Sequence, residues 1–222
     1  MADNEQQARE RPILFNGAMM RAILAGQKTQ TRRVAKAVVA VHTRTGEALA
    51  NTNSAGPCVH CPFGQPGDRL WVRERFKPVA SGQVKNGYGE IRYGYAYEAD
   101  SSTRWNKRTT IIHDLTGQPS KGPMQFQQSQ WRSAICMPHR ACRLVLEITA
   151  VRVERLQAIS EADALAEGIE ETGGRFTFNA GVHESLTPRL SFQTLWDSTG
   201  GDWASNPWVW VIEFKRVEVP GG

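Results

Sequence analysis

The sequence predicts an α+β chain that is mainly β: a small β-barrel with a few decorating helices and one long insertion. Three observations predict this. Short apolar runs with period-two alternation recur from Ile13-Leu14-Phe15 to Trp208–Val217. Few stretches carry helix punctuation. Residues 77–130 break the pattern, being Gly-rich and polar with Tyr88, Tyr93, Tyr95 and Tyr97 interspersed.

Taken in order, residues 1–11 read as a disordered tail, polar and without the apolar stretch of a secretory leader. Ile13-Leu14-Phe15 is a short strand. Asn16 is placed to cap a helix over Ala18–Leu24, and Gly26 to end it by taking a left-handed conformation. Lys28–Arg33 follows, with two threonines that suit an extended segment. Residues 43–67 read as loop, and Gln65-Pro66-Gly67-Asp68 as a turn into a strand over Arg69–Phe76. Arg143–Arg155 is the clearest strand, with Leu144, Leu146 and Ile148 on one face. Ser160-Glu161-Ala162-Asp163 resembles a capping box opening a short helix that Gly168 closes. Leu190–Trp196 reads as an amphipathic helix, and Asn206-Pro207 as the break before a last strand. Residues 12–76 and 131–219 thus form the barrel, and 77–130 the insertion.

A chain of 222 residues, 40% hydrophobic and with seven tryptophans, is long and apolar enough for a packed core and excludes a disordered protein. No apolar run approaches the roughly 18 residues that span a bilayer, so no membrane partner is expected and the location is read as cytoplasmic. The net charge of +5 favours polyanionic partners. No acidic residue lies between Glu10 and Glu47, while Arg11, Arg21, Lys28, Arg32, Arg33, Lys36 and Arg44 do. That asymmetry predicts a positive face.

The four cysteines are read as reduced thiols in that compartment. Cys58-Val59-His60-Cys61 and Cys136-Met137-Pro138-His139-Arg140-Ala141-Cys142 carry two-residue spacings that suit tetrahedral zinc. The candidates are Cys58, Cys61 and Cys136 with His139 or Cys142. The alternative is that all four are plain thiols. No cofactor is otherwise required.

Four blocks together resemble the ASCH family, a branch of the PUA-like barrels. They are Leu24-Ala25-Gly26-Gln27-Lys28-Thr29-Gln30-Thr31-Arg32-Arg33, Gly67-Asp68-Arg69-Leu70-Trp71-Val72, the strand–helix unit from Leu144 to Ile169, and Trp208-Val209-Trp210-Val211-Ile212-Glu213-Phe214. They cover about half of the chain. The Pro66–Glu74 block is similar to that of long versions encoded by phages and prophages, which implies a bacterial or infecting-phage origin. The resemblance implies RNA or a modified nucleoside as partner. It further implies that Lys28, Thr31 and Glu167 fall on the positions that carry amide hydrolysis in amidohydrolases of N4-acetylcytidine, and that Arg33 matches an arginine beside the site. Thr29, Arg32, Arg21, Arg73 and Glu74 complete the expected binding surface.

The chemistry suits those residue types. Amide hydrolysis needs a nucleophile, a base to activate it and an acid for the leaving amine. A lysine made less basic by burial or by neighbouring cations can activate a threonine hydroxyl or a water. Glu167 falls at a helix C-terminus, where the backbone dipole disfavours negative charge and so suits it to proton transfer. One geometric condition follows. Residues three apart on a regular strand point to opposite faces, so Lys28 and Thr31 converge only if the strand starts after Lys28 or if Lys28 curls back at the helix exit. The rival functions are a non-catalytic RNA- or DNA-binding module, a ribonuclease using the same cationic cleft, and a phage structural part. Of the aromatic residues, Trp208 and Trp210 suit packing on a strand, while Trp71, Trp131, Trp196, Trp203 and the insertion tyrosines beside Arg92 and Arg104 are candidates for stacking on bases.

Overall fold

The computed structural model describes residues 8–35, 39–41, 48–50, 61–85, 88–113, 129–178 and 182–217. The elements run β1 (Glu10–Leu14), α1 (Gly17–Leu24), β2 (Gln30–Val34), β3 (Val39–Val41), β4 (Ala48–Ala50), β5 (Arg69–Arg73), β6 (Phe76–Lys85), β7 (Tyr88–Tyr97), β8 (Thr103–His113), β9 (Val145–Arg155), α2 (Glu161–Ala166), β10 (Glu170–Thr172), β11 (Arg175–Phe178), β12 (Val182–Ser185), α3 (Pro188–Ser198) and β13 (Trp208–Val217). The chain is therefore mainly β with few helices. Several boundaries differ from the sequence reading: the strand expected over Arg69–Phe76 ends at Arg73, and the helix expected over Leu190–Trp196 runs from Pro188 to Ser198. β1 begins at Glu10, inside the expected tail. β3 and β4 pair as a hairpin, and β4 lies within the expected loop. Among the described residues no helix is long and apolar enough to cross a membrane.

The chain divides into two compact units. The first comprises residues 1–13, 18–72 and 144–222, and the second residues 14–17 and 73–143. The stretch expected as an insertion lies within the second.

The first unit is built on a five-stranded sheet in the order β1-β5-β9-β13-β2. Among the described residues no pairing joins its edge strands β1 and β2, so the sheet is open there. β13 lies between β9 and β2, antiparallel to both, and is apolar enough for burial on both faces. One face carries Val209 and Val211, both 0% exposed, against Ala164 of α2, Phe192 and Leu195 of α3, Phe178 of β11 and Ala22 of α1. On the other, Leu70 stands opposite Leu146, and Ile148 opposite Phe214. The expected facing of Leu144, Leu146 and Ile148 is matched by their burial. A bulge follows, because Glu213 pairs with Ala150 but Phe214 with Ile148, leaving Thr149 as the extra residue.

The second unit is a meander of β6, β7 and β8, completed by short 3-10 turns at Ala134–Cys136 and His139–Ala141. It is organised by a half-buried arginine. Arg143 donates to both oxygens of Glu74, at 2.7 and 2.8 Å, and also to Asp100 and Ser102. Its guanidinium lies 4.1 Å over the ring of Tyr97, whose hydroxyl donates to the Ala141 carbonyl at 2.8 Å. Burial pushes the Tyr97 hydroxyl up to about 12, against the pull of Arg104 and Arg143. Burial likewise raises Glu74, and Arg143 opposes it.

Because the Glu74 side chain is 2% exposed, Arg143→Met strands a buried carboxylate and is expected to cost about 3–5 kcal/mol in urea unfolding. The double variant with Glu74→Leu is expected to recover much of that loss. A single variant as stable as the parent would mean that the pair holds nothing together.

Candidate active site

The site begins with the way α1 ends. Gly26 has φ +78 and closes the helix, and the amides of Gln27 and Lys28 both return to the Ala22 carbonyl, at 2.9 and 3.1 Å. Lys28 therefore stands outside β2, forming an isolated bridge with Glu167. Thr29 is strung between two elements. Its amide donates to the Ala166 carbonyl and its own carbonyl accepts from Phe214, each at 2.9 Å. The strand proper starts at Gln30, so the geometric condition for Lys28 and Thr31 is met.

Glu167 arrives from the other side. The capping box forms as expected, with the Ser160 hydroxyl accepting from the Asp163 amide. α2 then runs a turn and a half, and Glu167 is its C-cap. Gly168 next takes φ +98, and a β-carbon there would meet Ala22 Cβ and Lys28 Cβ at 3.2 Å. Glycine is thus required both for the turn and for the close approach of Glu167 to Lys28.

Lys28 and Glu167 are 2% and 3% exposed. Lys28 Nζ donates to Glu167 Oε2 at 2.5 Å and to the Glu167 carbonyl at 3.0 Å. Burial pulls Lys28 below the ordinary lysine value, Arg33 and Arg32 add to that, and Glu167 opposes it. Arg33 is lowered by burial too, with Glu167 again opposing. Thr31 is buried and faces the same side of β2 as Arg33. Among the described residues no hydrogen bond joins it to Lys28 or Glu167.

Arg32 points to the opposite face and is wholly enclosed. Its Nη1 donates to Glu167 Oε1 at 3.2 Å. Its Nη2 lies 2.6 Å from Glu154 Oε1 and 3.3 Å from Asp163 Oδ2, and the guanidinium sits 5.7 Å from the centre of the Phe192 ring. Arg152 repeats the pattern, meeting Glu154 at 3.1 Å, Asp163 at 2.8 Å and Glu213. With its amide turned to suit its neighbours, Gln30 donates to Asp163 and accepts from Arg32. Burial pushes Asp163 up, but the Ser160 hydroxyl and both guanidiniums outweigh it and hold the carboxyl low.

Three carboxylates thus meet Lys28 and Arg32, two of the cations expected to form a positive face. Arg32 does not lie on a binding surface, because its side chain is closed to solvent. Glu74 is likewise taken up by Arg143, and Arg73 Nε donates to the Ala134 carbonyl at 3.0 Å. Thr29 and Arg21 are exposed. Sequence reasoning missed Glu154, Asp163, Arg152 and Glu213 as parts of the site. A signal existed: Arg152 and Glu154 alternate on a strand flanked by valines, which places two charges on one face.

Of the zinc candidates, Cys58 lies outside the described residues. Cys61 and Cys142 are buried, Cys136 is exposed, and all three are free thiols. Burial raises the Cys61 thiol, against hydrogen bonds from the Phe63 and Gly64 backbone and the field of Arg11. Among the described residues no three His, Cys, Asp or Glu side chains gather as a metal site would require.

The lowered Lys28 sets a sign for stability against pH. Between its folded value and the ordinary 10.5, the unfolded chain binds the extra proton, so stability rises with pH across that window. Urea titrations at several alkaline pH values are expected to show this rise, and Lys28→Met is expected to flatten it. An equal slope in the variant would place the effect elsewhere. Compared with models of known protein families, with curated proteins and with solved structures, the chain matches none, so its activity has to be read from the chemistry of these residues.

Proposed function

We propose that this chain is a PUA-like protein of ASCH type that removes the acyl group from N4-acylated cytidine, with Lys28 as base and Glu167 as proton donor and acceptor. The observation that carries the reading is the buried Lys28–Glu167 pair, 2.5 Å apart and built by two elements that end at that point. An amine held below its ordinary basicity is more readily neutral, and so more readily able to take a proton, than an ordinary lysine. A lysine nitrogen has three positions for hydrogen bonding. Two are used on Glu167, which leaves one for the Thr31 hydroxyl or for a water that Thr31 orients.

In the proposed reaction Lys28 takes the proton of that hydroxyl or water, and the oxygen attacks the acyl carbon. The bond from that carbon to N4 then breaks, and N4 receives a proton relayed through Glu167 and leaves as the free amine of cytidine. With water as nucleophile the acyl group departs as the acid. With Thr31 it is carried as an ester on the threonine oxygen, and a water then cleaves that ester to the acid and returns the hydroxyl. Arg33, on the same side of β2 as Thr31, is the cation proposed to meet the developing oxyanion. A phosphate-binding module or a ribonuclease is favoured less, because the cations of this segment face carboxylates: a phosphate on Arg32 would have to displace Glu154, Asp163 or Glu167.

Chromatography of N4-acetylcytidine incubated with the protein is expected to show cytidine and acetate. Lys28→Met and Glu167→Gln are each expected to lower the rate by about 10²–10⁴, and Thr31→Val to lower it as well. The rate is expected to rise with pH through the depressed Lys28 value. No release by the parent chain, or equal release by Lys28→Met, would overturn the reading, and degradation of unmodified RNA would assign a ribonuclease instead.

A further inference from the structure

Charge is divided unevenly between the two units. Residues 73–143 carry twelve lysines and arginines against five acidic residues, a net +7, whereas the whole chain carries +5. The first unit is therefore slightly acidic, in spite of its basic segment. A surface for a polyanion belongs on the second unit.

That unit also has a cavity of about 360 Å³, large enough for a nucleoside and at the small end of ligand sites. Its apolar walls are Phe15 and Trp131, and its polar lining includes Arg75, Glu98 and Ser133. The Trp131 wall is fixed in place, since Phe76 and Arg132 exchange backbone hydrogen bonds at 3.3 and 2.8 Å. The Lys77 ammonium stands 4.8 Å over the Trp131 ring, which leaves the other face of the indole for a base. Arg75 and Glu98 meet through Nη1 and Oε1 at 2.7 Å, with side chains 55% and 39% exposed. This contact leaves Glu98 Oε2 to accept and Arg75 Nη2 to donate.

We propose that the second unit binds single-stranded polynucleotide and that this cavity takes one amino-bearing base. The base stacks on Trp131, its exocyclic amine donates to Glu98, and its ring acceptor receives from Arg75. Cytosine presents that donor and acceptor side by side. Uracil turns a carbonyl oxygen toward the carboxylate and is disfavoured. Lys77 and the excess of cations in the unit draw the backbone phosphates. This site is independent of the hydrolytic reading, since it uses none of the residues around Lys28 and requires no acyl group.

Fluorescence anisotropy of labelled unmodified decamers with the full chain tests it. Oligo(C) is expected to bind more tightly than oligo(U), as RNA or as DNA, and to weaken steeply as salt is raised. Trp131→Ala is expected to weaken oligo(C) roughly tenfold or more, and Trp131→Phe to keep most of the affinity. Glu98→Gln is expected to erase the preference for C over U, and it remains informative should Trp131→Ala fail to fold. Absence of binding at low salt, duplex bound as tightly as single strand, an unchanged Trp131→Ala or an undiminished preference in Glu98→Gln would each overturn the proposal. Because the readout is binding, loss of hydrolysis alone leaves it standing, and loss of binding leaves the hydrolysis untouched.

Discussion

The first unit depends on a guanidinium closed off from solvent. Arg32 is enclosed between the sheet and the helices laid on it, where an unpaired charge would be very costly. It is tolerated because three carboxylates reach it, from β9, from the first turn of α2 and from that helix's C-cap. α2 is only six residues long, too short to be stable by itself. Asp163 near its start and Glu167 at its end both lean on the same arginine, so the helix is held across its length by one cation. The position of Glu167 is a consequence of that clamp. Its Oε1 is turned toward Arg32, and Oε2 is what remains for Lys28.

The second unit solves a similar problem with different parts. Arg143 is held by Glu74 and Asp100 and roofed by Tyr97, and this joins β7 and the loop after it to the start of the meander. In both units an arginine taken up by carboxylates brings together segments distant in sequence, and in both the geometry is set by several hydrogen bonds at once. The units differ in what remains over. The acidic groups of the first nearly match its cations, while the second keeps an excess of positive charge.

Much of the fold was legible in the sequence because local signals agreed with the final packing. The capping box at Ser160, the left-handed glycines at 26 and 168, and the alternation of Leu144, Leu146 and Ile148 each have a local physical cause. So does the end of α1 before Lys28, whereas the expectation that Lys28 and Glu167 belong together across 139 positions came from the family resemblance alone. The direction of Arg32 was not legible. Three cations within six residues read as a positive surface, yet β2 is paired along its length with β13, and strand alternation turns Arg32 inward while Arg33 faces the other side. Which way such a residue points depends on the carboxylates that meet it, and these come from β9 and α2. The charge excess of the second unit was hidden for a related reason: a whole-chain total says nothing of how charge is divided until the units are known.

The short contact between Lys28 and Glu167 can also be considered as a dipole. Moving a proton from Nζ to Oε2 converts an ion pair into a neutral pair and leaves the total charge of the enclosure unchanged. Only the local dipole collapses. The surrounding lattice of Arg32, Glu154, Asp163 and Arg152 is fixed by its own hydrogen bonds, so it has little freedom to reorient in response. Such a pair can change protonation state without water entering and without a counter-ion leaving, which is what a proton relay in a closed interior requires.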